Sequence, residues 1–144
     1  MFNQIIVAFD GSDHAESAVR AACDIAGRYN AKLHVVHVPQ LYDEAFAVGY
    51  ATVTLPVSTE TIQESGASMI ARAEEIAKEE GKTFASTNIL SGPPGDAILS
   101  CARDKDADLV ILGRRGLGSL RGVLMGSVSQ NLAAHADCAV MTVK

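Results

Sequence analysis

The sequence is poor in the residues that define several classes of protein. It has 144 residues, no tryptophan, only 5% aromatic residues and three cysteines. Cys23, Cys101 and Cys138 are odd in number and far apart, which excludes a complete disulfide framework and a CxxC metal or redox motif. The apolar runs are far shorter than a membrane span, and the N-terminal MFNQIIVAFD lacks the pattern of a secretory leader. We therefore expect a cytoplasmic protein without membrane insertion.

Basic residues are in the minority. The chain carries 12 lysines and arginines against 17 acids, for a net charge of −5. A general nucleic-acid binder needs a basic face to displace counterions, so we expect no nucleic-acid partner. What the chain has is 48% hydrophobic residues, enough for one core in a chain of this length. We predict a single domain over residues 1–144.

Apolar runs alternate with helical periodicity along the chain. Strands are predicted at residues 4–10, 32–38, 82–91, 108–112 and 138–143, and helices at 13–29, 58–80, 96–105 and 127–134. Two capping boxes, Asp13 with Glu16 and Ser127 with Gln130, mark helix starts. Residues 39–57 show no clear period, and we predict a mobile loop there, with a lid as one function. Strands alternating with helices predict a parallel sheet covered on both faces.

Ligands of such sheets bind outside the carboxyl ends of the strands, where the strand order reverses. Asp10, Val38 and Gly113 lie at carboxyl ends of predicted strands. Two nucleotide motifs fail there: Gly81-Lys82-Thr83 has Ile76 where a P-loop needs its first glycine, and Gly116-x-Gly118 is followed by Arg121 where the dinucleotide fingerprint needs its third.

Metal ligands are also poorly supported by the sequence. His34 and His37 lie three apart in a predicted strand, so they point to opposite faces and cannot share an ion. His14 and His135 each stand alone and are interpreted as solvated or core residues. No metal site made by protein ligands is predicted.

The segment from Gly113 to Ser129 carries the strongest chemical signal. Its glycines let backbone N–H groups approach an anion, and a helix start near Ser127 adds unpaired N–H groups and the positive end of the helix dipole. The hydroxyls of Ser127 and Ser129 add donors, and the guanidinium groups of Arg114, Arg115 and Arg121 add positive charge. Arg114 and Arg115 are candidate phosphate contacts. The alternative is a crossover loop with solvated arginines.

The spacing Gly113-x2-Gly116-x9-Gly126-Ser127 resembles the nucleotide-binding signature of the universal stress protein family. The likeness extends along the whole chain, through the blocks IIVAFDGSDHAESAV, LHVVHV, SGPPGDAI, ADLVILGRRGLG and GSVSQNLAAHADCAV. Two positions depart from the family's pattern: Ala8 and Ala139 stand where members often have proline. The first bears on the shape of the adenosine pocket, and the second on edge pairing of the last strand.

The resemblance implies an open five-stranded parallel sheet of order 3-2-1-4-5, a Rossmann-like, adenine nucleotide alpha hydrolase-like fold. It implies ATP between strands 1 and 4, with AMP or another adenine nucleotide as an alternative, and Mg²⁺ accompanying the nucleotide. The site residues carried over by position are Asp10, Val38, Gly113, Gly116, Gly126, Ser127, Val128 and Ser129. A homodimer through residues 138–143 is also implied.

The function predicted from this resemblance is an ATP-dependent regulator or stress-response factor acting on an unknown partner, with no catalytic residue assigned. One alternative is a dimeric interaction module that binds no nucleotide. The other is an enzyme on the same fold with slow ATP hydrolysis. An adenylating or hydrolysing relative needs an SGGxDS-like loop after strand 1, and DGSDHAES lacks its paired glycines.

Overall fold

The computed structural model describes residues 1–41, 44–48, 51–117 and 124–144. Arg121, one of the three arginines of the predicted phosphate-binding segment, lies outside these residues. The strands are β1 Gln4–Ala8, β2 Lys32–His37, β3 Glu44–Val48, β4 Ala51–Leu55, β5 Ser86–Ile89, β6 Leu109–Gly113 and β7 Ala139–Val143. The helices are α1 Asp13–Tyr29, α2 Thr59–Glu79, α3 Pro94–Asp104 and α4 Ser127–His135. Among the described helices, none is long and apolar enough to cross a membrane.

Five strands form one parallel sheet in the order β5-β2-β1-β6-β7. Numbered along the chain among themselves, these strands have the order 3-2-1-4-5, so the predicted topology is confirmed. β1 lies at the centre, pairing with β2 on one side and with β6 on the other. The continuous apolar runs of these strands are explained by this position, because a central parallel strand is buried on both faces.

Each face of the sheet has its own hydrophobic core. α1 and α2 cover one face, where alternate strand residues such as Val7 and Val35 are fully buried. α3 and α4 cover the other face, where Ile6 and Val110 are fully buried. Cys23 lies in the first core and Cys101 in the second. Burial raises the pKa of both thiols, that of Cys23 to about 11.

The helix ends follow local rules. Asn30 caps the C-terminus of α1 with a left-handed φ of 52°, and Gly81 follows the end of α2 with a φ of 68°. Such a φ favours glycine and, next, asparagine. Pro94 opens α3, where its missing N–H costs nothing. β5 is shorter than the predicted strand at 82–91.

The predicted capping box of α1 is wrong. The N-cap is Ser12, whose side-chain oxygen accepts a hydrogen bond from the Ala15 amide, and Asp13 is the first residue inside the helix. Glu16 instead accepts from Arg72 on α2 at 2.8 Å. Serine is as good a cap as aspartate, and the Glu16 carboxylate gains a charged partner across the two helices.

The predicted capping box of α4 is also wrong. Gly126 is the N-cap, and no side chain caps the helix. Ser127 is therefore the first helical residue, and the Gln130 side-chain amide donates to the Met125 carbonyl at 2.9 Å. The Ser127 hydroxyl is thus not used as a cap.

Residues 39–57 are more regular than the sequence indicated. β3 and β4 form an antiparallel pair with Glu44 opposite Leu55 and Val48 opposite Ala51. The missed signal is the alternation of threonine with apolar residues in ATVTL, which is typical of a strand. Residues 42, 43, 49 and 50 lie outside the described residues, and a lid function of this segment stays a prediction.

The amino end of the sheet is fastened by one carboxylate. Asp108 precedes β6 and accepts hydrogen bonds from the backbone amides of Asn3 at 2.6 Å and Gln4 at 2.8 Å. These bonds favour the charged form and hold the pKa of Asp108 below its ordinary value. They hold β1 beside β6 and fix how far the carboxyl ends of the two strands extend relative to each other.

Candidate functional site

The carboxyl ends of β1 and β6 lie side by side at the centre of the sheet, where Ala8 pairs with Leu112. The chain leaves β1 toward β2 on one side, and leaves β6 toward β7 on the other. This is the topological switch point at which open α/β sheets bind ligands. Asp10 and Gly113 are both placed at this edge.

Asp10 joins the turn after β1 to the loop after β6. Its Oδ1 accepts from the Ser12 hydroxyl at 2.6 Å and from the Ser12 amide at 3.0 Å, and its Oδ2 accepts from the Leu117 amide at 3.3 Å. Gly116 lies against this carboxylate so closely that a Cβ there would collide with Oδ2. The structure therefore brings together Asp10 and Gly116, which are 106 positions apart in the sequence.

The other two signature glycines have different surroundings. A Cβ on Gly113 would lie 2.9 Å from the Ala15 amide nitrogen and 2.9 Å from both the carbonyl carbon and Cβ of His14. Glycine at 113 is thus required for packing β6 against the start of α1. A Cβ on Gly126 would meet nothing nearer than 3.5 Å, and its φ of −71° suits any residue. The internal packing of the chain therefore does not require glycine at 126.

The start of α4 is fastened to the end of β6. Ser129 is 2% exposed, and its hydroxyl lies 3.0 Å from the Gly113 carbonyl and 3.1 Å from that of Arg114, to which it donates. The Gly126 amide also donates to the Arg114 carbonyl, at 2.9 Å. The first-turn N–H groups of α4, from Ser127 onward, have no acceptor within the helix and are directed toward its N-terminal end.

Two residues of this start differ from Ser129. Ser127 is exposed, so its hydroxyl is accessible from solvent at the helix start. Val128 is partly buried against the core under α3 and α4, so its backbone amide and not its side chain is the group placed for a ligand. The Ser129 proton is used to hold α4 in place, so within this geometry its hydroxyl supports the site rather than donating to a ligand.

Three buried nitrogen atoms in this region have no hydrogen-bond partner among the described residues: Nδ1 of His14 and Nε of Arg114 and Arg115. Buried polar atoms are usually satisfied, and an orphaned N–H is favourable only if a ligand or water accepts from it. The sequence assigned His14 no role, because its position beside Gly113 arises from helix–strand packing. The Nε–H groups of Arg114 and Arg115 fit an anionic ligand, whereas Nδ1 of His14 is a donor or an acceptor according to its tautomer.

Val38 follows directly after β2, beside the end of β1. Its side chain packs partly into the core under α3 and α4, so a ligand would meet its backbone. Of the residues carried over, the structure places Asp10, Val38, Gly113, Gly116 and Gly126 at one edge of the sheet with Ser127, Val128 and Ser129. Within the described parts of the chain, no cluster of three or more histidine, cysteine or acidic residues is arranged to hold a metal ion.

Two concavities on the described surface lie elsewhere. One, of about 370 Å³, is lined by residues including Leu99, Arg103 and Cys138, at the amino end of β7. The other, of about 440 Å³, lies between α1 and the end of α2, beside Cys23 and Lys82. Neither touches the switch point, and the site there is defined by backbone groups and hydrogen bonds.

A doubly wound parallel sheet with glycine-rich backbone at its switch point places this chain in the class of Rossmann-like α/β proteins. The comparisons identify the family within this class. The model of the universal stress protein family matches residues 1–144, so the chain belongs to that family.

Similar proteins cover the chain from end to end. A universal stress protein of Thermus aquaticus is 34% identical, with 100% of both chains covered. Universal stress protein YxiE of Bacillus subtilis is 31% identical, also with 100% of both covered. A crystal structure of a universal stress protein in complex with cAMP superposes with a TM-score of 0.72 at 27% identity, covering 99% of this chain and 96% of that one.

Proposed function

We propose that this protein binds ATP at the carboxyl edge of its sheet and acts as a nucleotide-dependent regulator in the cytoplasm rather than as an efficient catalyst. The observation that carries the proposal is the convergence of Gly113, Gly116 and Gly126 on the switch point, beside Asp10 and the start of α4. That the solved relative at 27% identity holds cAMP supports an adenine nucleotide as the ligand.

Each part of the site has a place in this proposal. The Val38 backbone contacts adenine and the Asp10 carboxylate lies on the ribose side, where it is already held by hydrogen bonds from Ser12 and Leu117. The amides at the start of α4 and the guanidinium groups of Arg114 and Arg115 meet the phosphates. Mg²⁺ enters with the nucleotide, coordinated by phosphate oxygens and water, since this cation binds readily with few protein ligands.

The proposal that the protein is a regulator and not a catalyst rests on the surroundings of Asp10 and Asp13. Phosphoryl transfer needs a group that positions the attacking water, together with metal ligands. The Asp10 carboxylate accepts three hydrogen bonds, which hold it between the turn after β1 and the loop after β6 and leave less of it free to orient a water molecule. Asp13 is exposed on the first turn of α1. Slow hydrolysis and a nucleotide-free interaction module are the alternatives.

A homodimer through β7 belongs to the same proposal. β7 is an edge strand of the described five-stranded sheet, and Met141 on it is 38% exposed. An edge strand presents unpaired backbone groups that a second copy can bind. The Ala139 N–H, which proline would lack, donates to the Asp108 carbonyl at 3.2 Å within the sheet, so pairing with a second copy would use the alternate N–H groups of β7 that point away from β6.

Nucleotide extraction tests the proposed function. Purified protein is denatured in acid and the released nucleotides are separated by chromatography. Binding of ATP, AMP and cAMP is then measured by calorimetry with and without Mg²⁺. We expect ATP binding that is lost in the double variant Gly116→Val and Gly126→Val, because the first displaces Asp10 and the second covers the α4 amides.

Gly27→Ala is the matched control, because Gly27 lies in α1 away from the site and a Cβ there meets only the flexible end of Lys82. It should bind ATP like the natural protein. A natural protein that carries no nucleotide and gives no calorimetric signal would overturn the proposal in favour of the interaction module. Phosphate release at a steady rate would favour the slow hydrolase.

A further inference from the structure

The hydrogen bonds between β1 and β2 follow a regular series. The Lys32 amide donates to the Asn3 carbonyl at 2.9 Å, and the register pairs Gln4 with Lys32 through to Ala8 with Val36. In a parallel pair, the amide of every second residue of one strand donates to a backbone carbonyl of the neighbouring strand. Continued along β2, the series predicts that the Val38 amide donates to the Phe9 carbonyl.

The structure places a different donor there. The Phe9 carbonyl lies 2.7 Å from Nδ1 of His37. Because a carbonyl oxygen can only accept, Nδ1 carries the proton and the imidazole donates. His37 is 7% exposed, and its own carbonyl accepts from the Leu90 amide beyond β5 at 2.9 Å. The side chain and backbone of His37 thus tie three neighbouring chain segments together at the carboxyl edge.

The hydrogen bond from His37 leaves the backbone of Val38 without its expected partner. Its amide makes no bond to the Phe9 carbonyl, and neither its N–H nor its C=O has a hydrogen-bond partner among the residues that the structure describes. Pro39 follows and has no N–H of its own. A donor and an acceptor on one residue therefore remain available at the edge where the nucleotide is proposed to bind.

We propose that His37 is a positioning residue for base recognition. By occupying the Phe9 carbonyl, its imidazole keeps the Val38 N–H and C=O available for the edge of an adenine base. Adenine presents an acceptor, N1, next to a donor, the 6-amino group. The backbone of a single residue complements this pattern. Hypoxanthine presents N1–H and a 6-oxo group, the reverse pattern, and is rejected. This inference rests on the proposed function.

The test compares binding of ATP and of inosine triphosphate by calorimetry. In His37→Leu the Phe9 carbonyl loses its donor. We expect the Val38 amide to donate to this carbonyl instead, which extends the β1–β2 pairing by one hydrogen bond. We expect about tenfold weaker ATP binding, the effect of about one hydrogen bond, and a similar fall in the ATP preference. His37→Asn keeps an N–H at nearly the position of Nδ1 and should restore most of both.

His34→Leu is the matched control. His34 lies on the same strand with the same 7% exposure, but its ring bonds Ser86 and Gln4 toward the opposite end of the strand. It should lose stability without changing the preference for ATP. A purely structural role of His37 predicts instead that both leucine variants behave alike.

The outcomes separate the inference from the proposed function. If the natural protein binds neither nucleotide, the proposed function fails. If it binds ATP and inosine triphosphate equally, or if His37→Leu keeps the ATP preference, the role of His37 is wrong while the proposed function stands. Should His37→Leu not fold, the amide resonance of Val38 in ¹⁵N-labelled natural protein decides: a shift on adding ATP supports the inference, and no shift overturns it.

Discussion

Gly113→Ala and Gly126→Ala should have opposite consequences, although both glycines belong to the same sequence signature. At position 113 a Cβ would lie 2.9 Å from three atoms of His14 and Ala15, two of them in the backbone of α1. Backbone atoms at the start of a helix cannot rotate away, so β6 and α1 must separate. Overpacking of this kind costs about 1–3 kcal/mol.

The magnitude can be converted into a melting temperature. The unfolding entropy of a chain of 144 residues is about 0.3 kcal/mol per kelvin. A destabilisation of about 2 kcal/mol by Gly113→Ala then lowers Tm by about 7 °C. At Gly126 the nearest atom to an added Cβ is 3.5 Å away and φ is −71°, so no strain is introduced. A slightly poorer helix cap and a smaller unfolded-state entropy nearly cancel, leaving the stability within about 0.5 kcal/mol.

Binding should show the reverse order of importance. The methyl group of Gly126→Ala lies at the start of α4, where it covers the amides proposed to meet the phosphates, and we expect about tenfold weaker ATP binding in a fully folded variant. Thermal unfolding followed by circular dichroism measures the first effect, and calorimetry the second. A Gly113→Ala variant as stable as the natural protein would refute the packing argument, and unchanged ATP binding by Gly126→Ala would refute the assignment of the α4 amides.

Three further predictions concern the rest of the molecule. Folding lowers the pKa of Asp108. Its contribution to stability is therefore present above the ordinary aspartate pKa and is lost as the pH falls through the pKa of the folded state. The stability difference between the natural protein and Asp108→Asn, measured by urea titration, should shrink on acidification from pH 6 to pH 3. Iodoacetamide at pH 8 should label the half-buried Cys138 before the buried Cys23 and Cys101, in an order read by mass spectrometry of peptides; equal labelling in the folded protein would contradict it. Met141→Lys should convert a dimer to a monomer in light scattering, and a monomeric natural protein would remove β7 as the interface.

The fold was predictable because its signals are local and repeated. The apolar runs of β1 and β6 are uninterrupted, α1 carries its apolar residues at helical spacing, and Gly81 ends α2. The errors occur where two local solutions are nearly equal in free energy. Ser12 and Asp13 are comparable N-cap residues. Which of them becomes the N-cap of α1 depends on the backbone conformation of the turn after β1.

The candidate site was predictable only as a set of residues, not as an arrangement. The spacing of Gly113, Gly116 and Gly126 was visible in the sequence, but their separate surroundings were not. Asp10 and Gly116 meet because β1 and β6 are neighbours, and His14 comes beside Gly113 because α1 packs over β6. No pattern in the sequence distinguishes His37, which contacts Phe9, from His34, which does not.

The resemblance to a known family supplied the strand order and the signature residues, and the β3–β4 pair was missed. The sequence by itself determined the alternation of five sheet strands with four helices and the parallel sheet that this alternation requires. These follow from periodicity and backbone preference, which act between residues close together in the chain. Only the tertiary structure decided which glycine packs against a helix and which leaves space beside one, and which carbonyl each buried imidazole contacts. Those outcomes depend on distances between strands far apart in the sequence, and such distances are set by how the two cores pack against the sheet.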